Sequence, residues 1–128
     1  MSAMQRRKGA AGERELFKLL TDELGVCVRR NVDQARNGGA DCIELQGFSV
    51  ECKRQERLCL PAWWRQAVKQ GLADGNEPIV FFRQSRKEWR ALIRTVDGGY
   101  REATWEAAVL HIREKLARLY GITDMETA

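Results

Sequence analysis

Four consecutive large apolar residues, Ile79-Val80-Phe81-Phe82, constrain this chain more than any other feature. Successive side chains of a strand leave opposite faces, so a strand without a polar face must be covered on both sides. The flanking segments can supply the covers. Gly9–Leu24 reads as a helix, because Leu16, Phe17, Leu20 and Leu24 recur at helical spacing and Gly25 can end it. Pro61 suits the first turn of a second helix that runs to Ala73. Thr104 can cap a third, with the stripe Trp105, Ala108, Val109, Ile112, Leu116 and Leu119. Four further strands are expected: one opening at Val26-Cys27-Val28 and running toward Arg29 and Arg30, then Asp41–Leu45, Phe48–Lys53 after the Gln46-Gly47 turn, and Trp89–Thr95 before the turn at Asp97-Gly98-Gly99. The order helix, three strands, helix, two strands, helix predicts an α/β domain, a mixed five-stranded sheet flanked by helices.

With 128 residues, 44% of them hydrophobic, the chain can bury a core as one domain over 1–128, with flexible ends at 1–7 and 121–128. No apolar run reaches the ~20 residues of a membrane helix. Met1–Lys8 is polar and basic, unlike a secretory signal. A cytoplasmic protein is expected, nucleoid-associated or phage-encoded in a host cell, with no membrane partner. Cys27, Cys42, Cys52 and Cys59 form no CxxC pair and the single histidine, His111, is remote from them. They read as small reduced thiols rather than zinc ligands or disulfides. His111 falls at the boundary of the last helix's stripe. Ser49 has no histidine near it in sequence, which argues against a serine-hydrolase triad, and no glycine-rich phosphate loop precedes a helix. The net charge is +4. Residues 1–30 and 61–90 are basic, while 31–60 carries a slight acidic excess. That distribution reads either as solubilising charge or as a polyanion-binding surface around a metal site.

The acidic stretch runs from Asp41 to Lys53. On the strand Phe48–Lys53, Ser49, Glu51 and Lys53 share one face while Phe48, Val50 and Cys52 take the other. A carboxylate and an ammonium beside so apolar a strand are costly unless paired or bound to something. Asp41 lies at the same open end of the hairpin. Two carboxylates, Asp41 and Glu51, with the backbone carbonyl of Cys52 make an oxygen-rich half-shell suited to Mg²⁺, and Mn²⁺ can substitute. Lys53 would hold or activate the attacking water beside a phosphate. Glu13 lies on the apolar stripe of the first helix. It is either an acid favoured by the helix dipole or a partner of this site.

Lys8-Gly9, Glu13-Arg14-Glu15-Leu16, an Arg-bearing strand, Asp41 and Val50-Glu51-Cys52-Lys53, in that order, resemble the archaeal-type Holliday junction resolvases of the PD-(D/E)xK nuclease superfamily. The resemblance spans roughly residues 6–83, and a phage or bacterial branch fits as well. "PD" is Ala40-Asp41 here, and the loop Asn31–Gly39 lacks the serine of the archaeal enzymes. The resemblance implies a restriction-endonuclease-like core. It implies metal ligation by Asp41 and Glu51 with Glu13 in support through water, a catalytic Lys53, and a glutamine on the following helix, Gln66, with Gln70 behind it. Arg14 and Arg29 or Arg30 would meet phosphate, joined by Lys8 and Arg36. Arg54, Arg57, Arg65 and Lys69 either track a DNA backbone or form a solvated face, and Arg83, Arg86, Lys87 and Arg90 could extend a basic rim. Of the adjacent Trp63 and Trp64, one or both belong to the core; an exposed one would stack on a base or a partner chain.

The expected function is a metal-dependent DNA endonuclease that resolves Holliday junctions. Opposed cuts need two sites, so a homodimer follows, with Trp63, Trp64 or Phe82 at its interface. The alternatives are a restriction-type, nicking or repair nuclease acting on duplex DNA, and a non-catalytic nucleic-acid-binding module with the same fold.

Overall fold

The computed structural model describes residues 3–31 and 42–121. Helix α1 (Ala3–Leu24) leads through a 3₁₀ turn (Gly25–Cys27) into β1 (Val28–Asn31), followed by β2 (Cys42–Leu45), β3 (Phe48–Arg54), α2 (Leu60–Asp74), β4 (Glu77–Arg83), β5 (Arg90–Arg94), β6 (Tyr100–Thr104) and α3 (Trp105–Tyr120). The six strands form one mixed sheet in the order β1-β2-β3-β4-β5-β6. Among the described residues only β3 and β4 pair in parallel, because α2 is the crossover between them; every other neighbour pair is antiparallel.

The Ile79–Phe82 run sits at the centre of the sheet and divides two cores. Ile79 and Phe81 join Leu16, Leu20, Ile112 and Leu116 on the side of α1 and α3. Val80 and Phe82 join Trp63, Trp64, Ala67 and Leu92 under α2. Thr104 caps α3 as expected, accepting the backbone N–H of Ala107 at 3.1 Å. Cys27, Cys52 and Cys59 are free thiols. No helix among the described residues is long and apolar enough to cross a membrane.

Several expectations are corrected. The sheet has six strands, not five; Tyr100–Thr104 pairs with β5 through the turn at Gly98-Gly99. As an edge strand it buries only Ala103, so it shows almost no apolar alternation. Helix α1 starts at Ala3, not Gly9, because Met4-Gln5-Arg6-Arg7-Lys8 are all good helix formers and a glycine inside a helix is tolerated. The first strand begins at Val28, not Val26. Gly25 takes a positive φ and a 3₁₀ turn intervenes, leaving Val26 92% exposed. Leu119 lies half exposed rather than on the buried stripe of α3. Trp63, Trp64 and Phe82 are all buried, so none can stack on a base or form a dimer interface. Trp63 leans on Phe82 with ring centroids 5.8 Å apart, and Trp64 leans the other way on Tyr100 at 5.4 Å. The two indoles bury together because α2 lies over a groove with an aromatic on each side.

His111 lies at the boundary of the core and belongs to a clamp. Glu77 Oε2 is 2.6 Å from His111 Nε2 and Glu77 Oε1 is 3.4 Å from Lys115 Nζ. Lys115 also donates to the Gly47 carbonyl at 2.8 Å and lies over the Phe48 ring. The same carbonyl accepts the Glu77 backbone N–H at 3.0 Å. Thus α3 pins the turn of the β2–β3 hairpin. Gly47 takes φ +82, where any other side chain is strained, and a Cβ would crowd Leu119 Cδ1 at 3.0 Å. Burial raises the Glu77 pKa, but the His111 hydrogen bond and the Lys115 charge outweigh it and bring it below its ordinary 4.5. A depressed carboxyl pKa stabilises the fold above its unfolded value, and that contribution disappears as pH falls through the folded one. Glu77→Ala removes the acceptor that His111 and Lys115 share and is expected to cost about 2–3 kcal/mol at neutral pH. In urea unfolding followed over pH, the gap to wild type should narrow below the ordinary glutamate range; a gap independent of pH contradicts the clamp.

Candidate active site

The site forms where β2 parts from β3. Among the described residues these strands pair only at Leu45↔Phe48, next to the turn. Had the ladder continued, Ile43 would face Val50. Instead both line an open cleft of about 500 Å³, together with Glu13, Glu51, Arg29, Glu44 and Asp74. β2 is held from its other side by full pairing to β1, from Val28↔Leu45 to Asn31↔Cys42. The β1–β2 pair therefore peels away from β3 as a unit.

This opening resolves a topological difficulty. Phe48 belongs to the core under α1 and α3, with Val50 and Cys52 packed against it, so the period of two sends Ser49, Glu51 and Lys53 to the α2 face. Glu13 comes from α1, on the opposite side of the sheet. In an unbroken sheet the two carboxylates would be separated by backbone; at the gap they share one cleft. Burial first, and then the charge of Glu51, push the Glu13 pKa up, with Arg30 pulling it down. Glu13 is thus a half-buried carboxylate facing another negative charge. Cys52 also lines the cleft. Burial, with Glu13 adding to it, raises its thiol pKa well above the ordinary value, so the thiol stays protonated at neutral pH and the backbone carbonyl is the ligand-type group it offers.

Lys53, two residues on from Glu51, donates to Gln66 Oε1 of α2 at 3.0 Å. The Lys–Gln pair follows from the crossover: α2 runs back over β3, and its Ala67 and Trp63 face the core, which leaves Gln66 at the flank toward Lys53. Gln70, one turn further, donates to Asp74 Oδ1 at 3.0 Å instead. Ser49, buried at 4% exposure, donates to Asp74 Oδ2 at 3.2 Å and closes the far end of the cleft. The serine's face was legible in the strand period; its partner, 25 positions away, was not.

The other expected residues are scattered in role. Arg29 lines the cleft. Arg30 lies 5.6 Å from the Phe17 ring centroid and acts electrostatically on Glu13. Arg14, Arg57, Arg65 and Lys69 are exposed. Arg54 does not lie open to a DNA backbone. It shares the α1 face of β3, where Gly12 lets its side chain pass; a Cβ on Gly12 would stand 2.8 Å from Arg54 Cβ and Cγ. Its Nη1 is buried without a hydrogen bond among the described residues, 4.0 Å from Glu56 Oε2. Arg83 and Arg90 are engaged in ion pairs, with Glu15 at 2.7 Å and Glu102 at 2.6 Å, rather than forming a free rim. Glu15 Oε1 also accepts the Trp89 indole N–H at 2.6 Å, so the second glutamate of the Glu13-Arg14-Glu15 run ties α1 to the end of β4 and to the residue before β5. Asp41, Arg36 and the side chain of Lys8 lie outside the described residues.

The fit to a metal can be judged from the donor set. Among the described residues no three His, Cys, Asp or Glu side chains converge as ligands. In the pair that shares the cleft, Glu13 and Glu51, burial and then the Glu51 charge raise the proton affinity of Glu13. Such a pair is relieved by a hard cation, and oxygen donors are the type such a cation prefers.

The family model described as "Phage putative PDDEXK endonuclease" matches residues 4–120. The chain belongs to this family. The resemblance read from Glu13, Asp41, Glu51 and Lys53 therefore holds at the level of the PD-(D/E)xK nucleases, in their phage branch. Among solved structures, the chain is similar to Hjc, a Holliday junction resolvase of the archaeal hyperthermophile Archaeoglobus fulgidus, at 18% identity and a TM-score of 0.46, covering 80% of this chain and 96% of that one. No curated protein matches the chain. For this phage PDDEXK endonuclease, the ExK segment Glu51-Cys52-Lys53 sits in β3 beside the gap.

Proposed function

We propose that this phage PDDEXK endonuclease is a Mg²⁺-dependent enzyme that hydrolyses DNA phosphodiesters, with branched, four-way DNA as its substrate. The observation that carries the reading is the meeting of Glu13 and Glu51 from opposite sides of the sheet, next to a lysine held by Gln66. Asp41, Glu51 and the Cys52 carbonyl would hold the cation, with Glu13 supporting it through water. Bound there, a divalent cation supplies polarisation of the scissile phosphate and acidification of water. The chain supplies the rest. Gln66 fixes the Lys53 ammonium, which stabilises negative charge growing on the phosphate oxygens. Arg29, at the cleft wall, is placed to orient the phosphate.

Two opposed cuts require two such clefts, so the working form is a two-fold homodimer acting in the host cytoplasm. Its interface excludes Trp63, Trp64 and Phe82, which are buried within one chain. The test compares four-way junction, flap and linear duplex with Mg²⁺, with Mn²⁺ and with EDTA. The expected result is metal-dependent cutting of the junction, abolished by Asp41→Asn while binding persists. Equal cutting of all three substrates replaces the resolvase by a restriction- or nicking-type nuclease. Binding without cutting in either metal leaves only a passive nucleic-acid-binding module.

A further inference from the structure

The β4–β5 connection carries a residue in a conformation its type disfavours. Lys87 N–H bonds the Gln84 carbonyl at 3.2 Å and closes a four-residue turn, and in its third position Arg86 has φ +63. Turns with a positive φ there favour glycine or asparagine. A branched-out arginine in this region is strained, and such strain clusters where a side chain must be presented.

The turn is braced from both sides. Glu56, in the loop after β3, accepts the Ser85 backbone N–H at 3.0 Å and its hydroxyl at 2.8 Å. Gln84 Nε2 donates to the Glu56 carbonyl at 2.8 Å. On the other flank Arg83 Nε donates to the Lys87 carbonyl at 2.6 Å, while its Nη1 is held by Glu15. All this fixes the backbone and leaves the charges outward. Arg57, Arg86 and Lys87 are exposed, and among the described residues none of the three has an ion-pair or hydrogen-bond partner for its side chain. The Glu56 carboxylate, which reaches the turn, is occupied by Ser85.

The turn also stands in a defined relation to the cleft. β3 and β4 run parallel with Lys53↔Phe82 and Arg54↔Arg83 in register. Arg86 therefore lies beyond the carboxyl end of the strand next to Lys53, four residues past Phe82, the register partner of Lys53. The opposite end of β3 is closed by Asp74 and Ser49, which favours a polyanion entering from the Arg86 end.

We propose that the Gln84–Lys87 turn is a phosphate-binding clamp for the DNA arm flanking the scissile bond, with Arg86 and Lys87 as its contacts. The inference rests on the nuclease reading for the position of the scissile bond, but its test reads binding alone. In the full-length chain carrying Asp41→Asn, fluorescence anisotropy with a junction and a linear duplex is followed from ~50 to ~200 mM NaCl. Adding Arg86→Gly and Lys87→Gln should weaken both complexes about tenfold at the lower salt, and flatten log K against log[NaCl] by about one to two units. Arg86→Gly alone should raise Tm by about 2–5 °C while weakening binding, because it relieves the turn and removes the contact. An unchanged salt slope, or a lower Tm with unchanged affinity, overturns the clamp whatever the wild type cuts. A flattened slope in a protein whose wild type cuts nothing leaves the clamp standing and removes the nuclease reading.

Discussion

Glu51→Gln should lower the cleavage rate at least about 10³-fold, with DNA affinity in EDTA within about twofold of wild type. Glu51 acts at the gap in two ways: its charge faces Glu13, and it is the carboxylate that β3 itself carries to the site. The amide keeps size and shape, so the fold should be undisturbed, while cation affinity drops. Lys53→Met should show a loss of similar order for a different reason. It deletes the ammonium that Gln66 holds at 3.0 Å but leaves the carboxylates in place. The two variants are separable by calorimetric titration with Mg²⁺. Glu51→Gln should lose heat of binding, and Lys53→Met should retain it. If Glu51→Gln cuts at more than a tenth of the wild-type rate, the assignment of the cleft as the catalytic centre fails.

The second large effect is expected at a residue with no chemistry. Gly12→Val should destabilise the protein by about 1–3 kcal/mol and cut cleavage by about 10²-fold. A Cβ alone would stand 2.8 Å from both Cβ and Cγ of Arg54, and the γ-methyls add to that. Arg54 cannot swing clear at Cβ, which is fixed to β3, so α1 must retreat from the sheet. Glu13 is the next residue along, and a shift of about 1 Å there withdraws its carboxylate from Glu51. Gly12→Ala should show the same trend at smaller size. Thermal unfolding measures the first quantity and single-turnover cleavage with excess enzyme the second. Loss of stability with full activity would mean that the α1–β3 spacing does not set the site.

How far the sequence reveals the site depends on which residue is considered. Glu51 and Lys53 were legible because strand period is local: two positions apart means one face. Glu13 was legible only as an apolar-stripe anomaly with two readings, since the choice between them lies in what α1 packs against. Gln66 was legible from the family pattern and not from periodicity. Arg54, Arg83 and Arg90 all read as surface cations, yet Arg54 threads past Gly12 and the others are held by Glu15 and Glu102. A charge's partner far along the chain leaves no trace in local spacing. The sixth strand escaped for a related reason, as an edge strand with a single buried residue carries little pattern.

The sequence alone determined the succession of the three helices and the first five strands, the double burial of the central strand and the face on which the ExK side chains leave β3, since each follows from a repeat of two or of 3.6 residues and from side-chain polarity. Tertiary structure decided where β2 leaves β3, and hence that carboxylates from opposite faces of the sheet meet in one cleft. It also decided that both tryptophans go inward and which arginines remain outward. These outcomes depend on strand register and on the spacing between elements. Both are set by how side chains distant in sequence fill the same volume, a quantity that no local pattern encodes.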